Sequence, residues 1–524
     1  MSSKFIASFA AGVFLALPFL FPILFPFSWV AFVPLFWVLE RSGGWVQLFF
    51  LGWLVGGVAN LLGFYWLDYA IRVFGGFPYG ASEFVFLGFV AYAALPVALF
   101  SLLVRLCGRG VLGLFPALFW VVIEFWFPLL FPWHLANSQV WLLSLIQSAD
   151  LVGPYGTSFL LVWLNTIFYA AIFYRSGRAG TLLREGTLSG LVLIALFFYG
   201  HQRLKGVDAD MRAAPGLTVA AVQGNIDIQR KWSMAYVESN LKSYQELTKK
   251  TRDVKLVIWP ETAVEVWLPE NLAQLPSQIL PSLPEDASLI FGARSFRGNP
   301  ATPDLKAFNS AFLVNAQGRV SGYYHKQVLL AFGEYLPFAP LVSRLPAVPP
   351  LGDGFTPGDG PRTLDLPDGI RAAPLICYEA LMAGLARRFV AEKRANLLVN
   401  LTNDAWFGDT VAPWQHARLA QWRAIETRRY LLRVTNTGLT SIINPKGEML
   451  ETLPLFSSGV LIARVEAMEG ATPYVRFGDW FAWLVTCFAL VVLVLKLATL
   501  LPAYCIAGHD LVRKESYGTN RIKA

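Results

Sequence analysis

The sequence predicts a multi-domain membrane protein, with about eight transmembrane helices and one large α/β domain outside the cytoplasm. The 524 residues are 55% hydrophobic and only 15% charged, which is unusual for a water-soluble chain of this length. Long apolar runs are concentrated before residue 201 and after residue 479. Between them, short β-rich runs alternate with amphipathic helical runs, a pattern typical of an α/β domain.

Eight apolar runs are predicted membrane crossings, because a helix needs about 20 residues to cross about 30 Å of hydrocarbon. The short second run is interpreted as a return helix. Seven of the runs precede residue 201, and one lies near the carboxyl terminus. The runs are 5–25, 28–39, 46–67, 82–104, 111–130, 157–174, 187–200 and 480–504.

Basic residues in the connecting segments predict the orientation of these helices. With the amino terminus in the cytoplasm, Lys4, Arg41, Arg105 and most other basic loop residues lie on the cytoplasmic side, as the positive-inside bias requires. Both termini are then cytoplasmic, and the α/β block lies outside. The predicted units are a seven-helix membrane domain at 1–204, the outer domain at 205–470, and a last helix with a basic tail at 471–524.

The outer block is long enough to bury a full core. Helices are predicted at 233–250 and 414–430, and NPKGE at 444–448 predicts a turn between two strands. The apolar stretch 335–358 is rich in Pro and Gly, which predicts a lid loop that dips into the bilayer. The strand candidates are LTVAAVQ, VKLVIWPE, SLIFGARSF, SAFLVN, IRAAPLIC, ANLLVNLTND and LTSIINP.

Cys377 is the one cysteine of the outer block, since Cys107, Cys487 and Cys505 lie in or beside predicted membrane helices. It therefore has no disulfide partner in its own domain. A solitary thiol outside the cytoplasm is exposed to oxidation, so it is expected to be either buried as a small hydrophobe or used as a nucleophile.

Glu261 and Lys326 accompany Cys377 in the same block, and each lies where a strand is expected to give way to a loop. Glu261 follows VKLVIWP, Lys326 ends SGYYHK and Cys377 ends IRAAPLIC. Strand ends are where open α/β sheets assemble their sites. A buried carboxylate can take the proton of a thiol that attacks an acyl carbonyl, and an ammonium can stabilise the oxyanion that forms. The backbone N–H of Tyr378 is a second candidate oxyanion donor. A lone Glu or Lys usually marks only a surface charge, so the prediction rests on the combination.

Five segments, IWPETA, YYHKQVLLAFGEYLPF, LICYEA, NLTNDAWFG and RVTNTGLTSIINPKGEML, resemble the nitrilase, or carbon–nitrogen hydrolase, superfamily. They match its Glu-Lys-Cys triad in order. The join to membrane helices, with FGEYLPF after the lysine and QHARLAQWRAIETRRYLLRVTNTG downstream, resembles the apolipoprotein N-acyltransferase family. The resemblance spans nearly the whole chain and implies an αββα sandwich for the outer domain.

The resemblance implies that Glu261 is the general base, Lys326 the transition-state stabiliser and Cys377 the nucleophile. It implies neither a cofactor nor a metal. One departure affects a membrane-side contact, because Phe127 stands where an arginine is expected shortly after Glu124. The resemblance also implies supporting or substrate-binding roles for Trp232, Asn309, Glu334, Tyr378 and Glu379.

The implied reaction moves a fatty acyl chain from a phospholipid, through a thioester on Cys377, to the N-terminal α-amine of a diacylglyceryl-modified apolipoprotein. This is the last step of bacterial lipoprotein maturation. The implied location is the bacterial inner membrane, with the catalytic domain facing the periplasm and the protein acting as a monomer. Nucleic acid is not an expected partner, since the net charge of +8 is not gathered into a basic face.

Two other functions stay open on the sequence. A membrane-anchored amidase would use the same triad with water or ammonia as acceptor, although one anchoring helix would be enough. A transporter with an outer accessory domain would place ionisable residues within the membrane, and the candidates are Glu124 and Asp68.

Overall fold

The computed structural model describes residues 2–73, 75–106, 110–174, 178–299, 302, 304–335, 354–496 and 498. Its helical part precedes residue 214, and one further long helix follows residue 479. The helices are α1 Ser2–Leu20, α2 Val33–Arg41, α3 Trp45–Gly63, α4 Trp66–Val73, α5 Ala81–Ala93, α6 Leu95–Leu106, α7 Phe115–Trp126, α8 Leu143–Ile146, α9 Ala149–Val152, α10 Tyr155–Phe173, α11 Ala179–Ala213, α12 Ile228–Lys231, α13 Val237–Thr248, α14 Ala383–Lys393, α15 Ala412–Thr427, α16 Pro473–Phe477 and α17 Trp480–Lys496.

Six helical spans in the described residues are long and apolar enough to cross a membrane, and they coincide with six of the eight predicted crossings. The other two crossings contain shorter helices, α7 and α17. Helix α7 ends at Trp126 because Phe127 is extended and Pro128 follows it. The predicted return helix begins as a 3-10 helix and continues as α2. The spans are Ser2–Leu20, Pro22–Arg41, Trp45–Gly63, Ala81–Leu106, Tyr155–Phe173 and Ala179–Ala213.

The helices before residue 214, together with α17, are called the membrane part below. Small residues allow α3 to pack closely against its neighbours there. A Cβ atom added at Gly52 would lie 2.3 Å from Ser101 Oγ of α6, and one added at Gly56 would lie 2.6 Å from the Ala94 carbonyl oxygen. Helices in lipid associate through van der Waals contact, and small side chains let their backbones approach. These contacts pack α3 closely against α6 and the residue that precedes it.

The α/β part contains the strands, which form two sheets. The first sheet has the order β13-β1-β2-β4-β5-β6, with β3 beside β4, and the second has the order β12-β11-β10-β9-β8-β7. The strands are β1 Gly216–Gln223, β2 Leu256–Ile258, β3 Val264–Pro269, β4 Ser288–Arg297, β5 Lys306–Asn315, β6 Val320–His325, β7 Leu364–Asp365, β8 Arg371–Ile376, β9 Leu397–Thr402, β10 Leu431–Thr435, β11 Ser441–Ile443, β12 Met449–Thr452 and β13 Gly459–Glu466.

The two sheets pack face to face, and helices cover their outer faces. Val219 and Ile258 of the first sheet share one buried cluster with Leu375 and Leu398 of the second. Tyr244 of α13 packs on the other face of the first sheet, while α14 and α15 pack on the second. The layers are therefore α, β, β and α, as the sequence predicted.

All seven strand candidates overlap an observed strand, and the NPKGE turn joins β11 to β12. The predicted helices correspond to α13 and α15. Residues 336–353 of the predicted lid loop 335–358 lie outside the described residues, as do Cys107, Cys505 and most of the basic tail. The division at residue 204 stays a prediction, and α11 runs through it without a break.

Candidate active site

Glu261, Lys326 and Cys377 lie together where three strands end. Glu261 follows β2 by three residues, Lys326 follows β6 directly, and Cys377 follows β8 directly. Lys326 Nζ lies 3.9 Å from Glu261 Oε1, and both groups interact electrostatically with the Cys377 thiol. Glu261 and Lys326 are only 7% and 1% exposed, so water screens their charges weakly.

Asn309 and Glu334 hold Glu261 and Lys326 in place. The Asn309 amide donates to Glu261 Oε1 at 2.8 Å and to Glu334 Oε1 at 2.9 Å. The second Glu334 oxygen pairs with Lys326 Nζ at 2.7 Å and accepts from the backbone N–H of Leu330 at 2.8 Å. The Glu334 carboxylate therefore orients the Lys326 ammonium, and the Asn309 amide orients the Glu261 carboxylate.

Three turns of this site carry non-glycine residues with left-handed backbone angles. Thr262, next to Glu261, has φ of 48°, and Phe332, two residues before Glu334, has φ of 64°. Cys377 itself has φ of 52°. Such conformations are strained for residues with a Cβ, and proteins keep them mainly where function requires a particular side-chain direction.

Burial and neighbouring charges determine the protonation of these groups. Burial, reinforced by the Glu261 charge, raises the pKa of the Cys377 thiol to about 12. Burial also raises the pKa of Glu261, while Lys326 and Asn309 act to lower it. Burial alone would lower the pKa of Lys326, but the Glu334 and Glu261 carboxylates outweigh it and raise that pKa. At neutral pH the thiol is therefore protonated beside a charged lysine and a carboxyl that can act as its base.

Glu379 connects the loop after Lys326 with the turn that carries Cys377. One of its oxygens accepts from the backbone N–H groups of Gln327 and Val328, at 2.7 and 3.0 Å, and from Tyr324 Oη at 2.8 Å. The other oxygen accepts from the N–H of Ile376 at 2.8 Å. Burial raises the pKa of Glu379 to about 7, although Lys326 and these backbone donors act to lower it.

An apolar cleft reaches Cys377 from the membrane part. Cys377 lines this cleft and is partly exposed as a residue. Tyr378 closes one side, where its hydroxyl donates to the Leu130 carbonyl oxygen and its ring meets Phe131 edge-on at 6.2 Å. The lining includes Leu15, Phe19 and Trp133 from the membrane part and Leu381, Phe407 and Leu419 from the α/β part.

A buried polar network beneath Cys377 was not predicted. Arg433 pairs with Asp404 at 2.6 Å and donates to Asn400 at 2.7 Å, and the Asn400 amide reaches the Cys377 carbonyl oxygen at 3.3 Å. His416 meets the other Asp404 oxygen at 3.0 Å. NLTNDAWFG and RVTNTG, which contain three of these residues, were already noted as motifs, but sequence alone does not show that they meet.

Lys231, also not predicted, contacts the turn that carries Glu261. It is fully buried, its Nζ donates to the Thr262 carbonyl oxygen at 2.9 Å, and burial lowers its pKa to about 8. The predicted Trp232 follows it, stacks on Trp406 at 5.8 Å between ring centroids, and stays 43% exposed. Trp232 therefore lies beside the site rather than in the lining of the cleft.

In the membrane part, Glu124 makes local contacts. Its Oε1 accepts from Trp120 Nε1 at 2.7 Å and from the Leu135 N–H at 2.8 Å, and its Oε2 lies 3.5 Å from His134 Nδ1. Phe127 packs on Tyr92, with 5.2 Å between ring centroids. These contacts join Glu124 to residues within eleven positions of it along the chain.

Comparison with known proteins supports both parts of the chain. Residues 218–474 match the carbon-nitrogen hydrolase family, and residues 11–167 match the apolipoprotein N-acyltransferase N-terminal domain. The apolipoprotein N-acyltransferase of Geobacter metallireducens is 36% identical over 507 residues, which cover 92% of this chain and 93% of the relative.

Two other apolipoprotein N-acyltransferases are also similar over most of their length. That of Bdellovibrio bacteriovorus is 32% identical over 478 residues, covering 87% of this chain and 86% of the relative. That of Pseudomonas aeruginosa is 33% identical over 444 residues, covering 82% and 83%. These matches confirm the resemblance found in the sequence, and this chain belongs to the apolipoprotein N-acyltransferase family.

Proposed function

We propose that this protein moves a fatty acyl chain from a phospholipid to the N-terminal α-amine of a diacylglyceryl-modified lipoprotein, with Cys377 carrying the chain in between. The observation that carries this proposal is the cleft, which Cys377 shares with apolar side chains of the membrane helices. A two-chain lipid barely dissolves in water, so it must enter from the bilayer. We place the catalytic domain on the periplasmic side of the inner membrane and expect a monomer.

In the first half-reaction, Glu261 takes the thiol proton while Cys377 Sγ forms a bond to the ester carbonyl carbon. The oxyanion that develops is stabilised by the Lys326 ammonium and the Tyr378 N–H. When the intermediate collapses, the ester C–O bond breaks. The departing oxygen of the lysophospholipid takes the proton from Glu261, and the chain remains on sulfur as a thioester.

In the second half-reaction, the lipoprotein α-amine attacks the thioester carbonyl and Glu261 accepts the amine proton. The C–S bond then breaks, and the sulfur of Cys377 recovers a proton from Glu261. Water competes with the amine for the thioester, so an apolar surrounding favours transfer over hydrolysis. The predicted lid loop 335–358 would contribute to that exclusion. Family membership favours this acceptor over the amidase and transporter alternatives.

The thioester is directly testable. Purified protein given phospholipid alone should gain the mass of one acyl chain on Cys377, and hydroxylamine should remove it. Cys377→Ala should gain nothing, whereas Cys487→Ala, which changes an exposed cysteine of the last helix, should behave like the wild type. A diacylglyceryl peptide should then discharge the thioester faster than water does. An unmodified wild type, or an adduct that survives hydroxylamine, would count against the mechanism.

A further inference from the structure

Arg418 is a cation in the wall of the cleft with no acidic partner among the described residues. It lies on α15, half-buried, and lines the same space as Cys377. Burial lowers the pKa of Arg418 to about 10, with no opposing contribution from a carboxylate. The guanidinium is therefore charged at neutral pH, and removing it from water is costly unless an anion accompanies it.

Two tryptophan rings hold this guanidinium without using its hydrogen-bond donors. Its Cζ lies 5.7 Å from the ring centre of Trp141 and 5.6 Å from that of Trp414. Trp414 precedes Arg418 by one helical turn of α15, and Trp141 comes from the membrane part. Both rings are substantially exposed, as is usual for tryptophans at a membrane surface. Ring faces attract a cation but accept few of its N–H groups. The N–H donors in the plane of the guanidinium are therefore available to a ligand.

We propose that Arg418 binds the phosphodiester of the phospholipid donor, while the cleft takes the acyl chain that is transferred. A planar guanidinium matches two phosphate oxygens with two parallel N–H donors. In a phospholipid the phosphate lies only a few bonds from the ester carbonyl. A lipid whose ester reaches Cys377 therefore has its phosphate close by, and both residues line one space. This inference rests on the proposed function, since it names the donor group that the same site recognises.

The first test compares two donors that carry the same acyl chain. Acylation of Cys377 is followed by mass for dipalmitoyl phosphatidylethanolamine in mixed micelles and for p-nitrophenyl palmitate, which has no phosphate. Arg418→Gln should lower kcat/KM about tenfold for the phospholipid and leave that of the p-nitrophenyl ester within about twofold. Arg418→Lys should give a phospholipid kcat/KM between those of the wild type and Arg418→Gln, because lysine keeps the charge but lacks the paired N–H donors of the guanidinium. Equal losses with both donors, or no loss with either, would overturn the assignment.

Arg72→Gln is the matched control. Arg72 also lies over two aromatic rings, 5.8 Å from the centre of Tyr69 and 4.4 Å from that of Tyr79, but it is not part of the cleft lining. Arg72→Gln should leave kcat/KM unchanged for both donors. A free anion is distinguished with inorganic phosphate. If millimolar phosphate changes p-nitrophenyl palmitate turnover in an Arg418-dependent way, while phospholipid turnover is insensitive to Arg418, the site binds free phosphate and the lipid assignment is wrong.

A binding measurement separates this inference from the mechanism. Cys377→Ala protein should retain phosphatidylethanolamine in native mass spectrometry, and adding Arg418→Gln should weaken that retention about tenfold. Equal retention would overturn the role of Arg418. Failure of wild-type Cys377 to become acylated would instead contradict the proposed function, whatever the lipid retention shows.

Discussion

At the residue scale, the protonation of Glu261 should control how fast Cys377 is acylated. The buried thiol has a pKa of about 12, so almost no thiolate exists at neutral pH and a base must remove the proton during attack. Glu261 can do so only when it is ionised, and burial raises its pKa. The acylation rate should therefore fall as pH decreases through that raised pKa, above the usual range of a glutamate.

Asn309 provides a way to move this pH dependence. Its hydrogen bond to Glu261 lowers the pKa of that carboxyl, so Asn309→Leu should raise the pKa further and shift the acidic limb of kcat/KM for acylation to higher pH. The measurement is the pH profile of thioester formation, with Glu261→Gln as a reference that should be inactive throughout. A limb that stays in place, or moves to lower pH, would contradict the assignment of Glu261 as the base.

How far the site was predictable depends on what each residue contacts. Glu261, Lys326 and Cys377 were found because each follows a recognisable strand, and the structure places them together, although their roles stay predictions. Asp404 and Arg433 were not found, because a charged residue beside a strand usually faces water. Here each neutralises the other at 2.6 Å inside the core, a pairing between distant segments that a single sequence does not show.

At the scale of elements, the turn that carries Glu261 packs on β4 at a glycine. A Cβ atom at Gly292 would lie 2.5 Å from the Thr262 nitrogen and 2.7 Å from Glu261 Cα, so the turn would have to move. We expect Gly292→Ala to lower acylation by tenfold or more, because displacements of about 1 Å in a site can cost about a hundredfold. Thioester formation is the readout.

The matched control for that change is Gly322→Ala on β6. A Cβ at Gly322 would meet Leu364 Cδ2 at 3.4 Å, an ordinary contact, so its activity should stay near that of the wild type. If Gly292→Ala retained normal acylation, or if both variants lost it equally, close packing of this turn would not be what positions Glu261.

Strand β10 shows why some elements were not predicted. None of the strand candidates covers its sequence LLRVT, in which Arg433 interrupts the apolar run. The strand is nevertheless buried throughout and pairs in parallel with β9. Strand β13 was also not among the candidates; it pairs with β1 from the far end of the α/β part, with Gly216 opposite Glu466.

At the scale of the whole molecule, a buried ion cluster fixes the α/β part to the membrane helices. Asp150 of α9 pairs with Arg428 just after α15 and with Arg203 of α11, each at 2.7 Å, and accepts from Tyr199 Oη at the same distance. Asp150 is fully buried and Arg428 is 4% exposed. One carboxylate therefore satisfies cations from both parts.

Asp150→Asn should loosen this junction. It removes the counter-ion of the buried Arg428 and, among the described residues, leaves Arg203 with only Asp210, at 4.0 Å. Breaking a buried pair costs about 3–5 kcal/mol. We expect a lower Tm in detergent and faster tryptic cleavage between the two parts. Lys255→Gln is the control, because its pair with Asp286 at 3.2 Å is exposed and should contribute about 1 kcal/mol or less. Equal effects of the two changes would argue against a role in docking.

The helical plan of the molecule was predictable because hydropathy acts along the chain. Five of the six long spans lie within about six residues of their predicted ends, and the predicted crossing 187–200 lies inside the longer helix Ala179–Ala213. The cleft was not, since no continuous segment encodes it. It exists only where residues such as Phe19 and Trp133 face Leu381 and Leu419 across more than two hundred positions of sequence.

This shared wall has an evolutionary consequence. In a hybrid that joins the helices of one homologue to the sandwich of another, the two walls of the cleft come from different lineages. The boundary between these walls lies beside Cys377. Residues on opposite walls of the cleft should therefore change in pairs as homologues diverge, together with the shape of the acyl chain that the cleft holds.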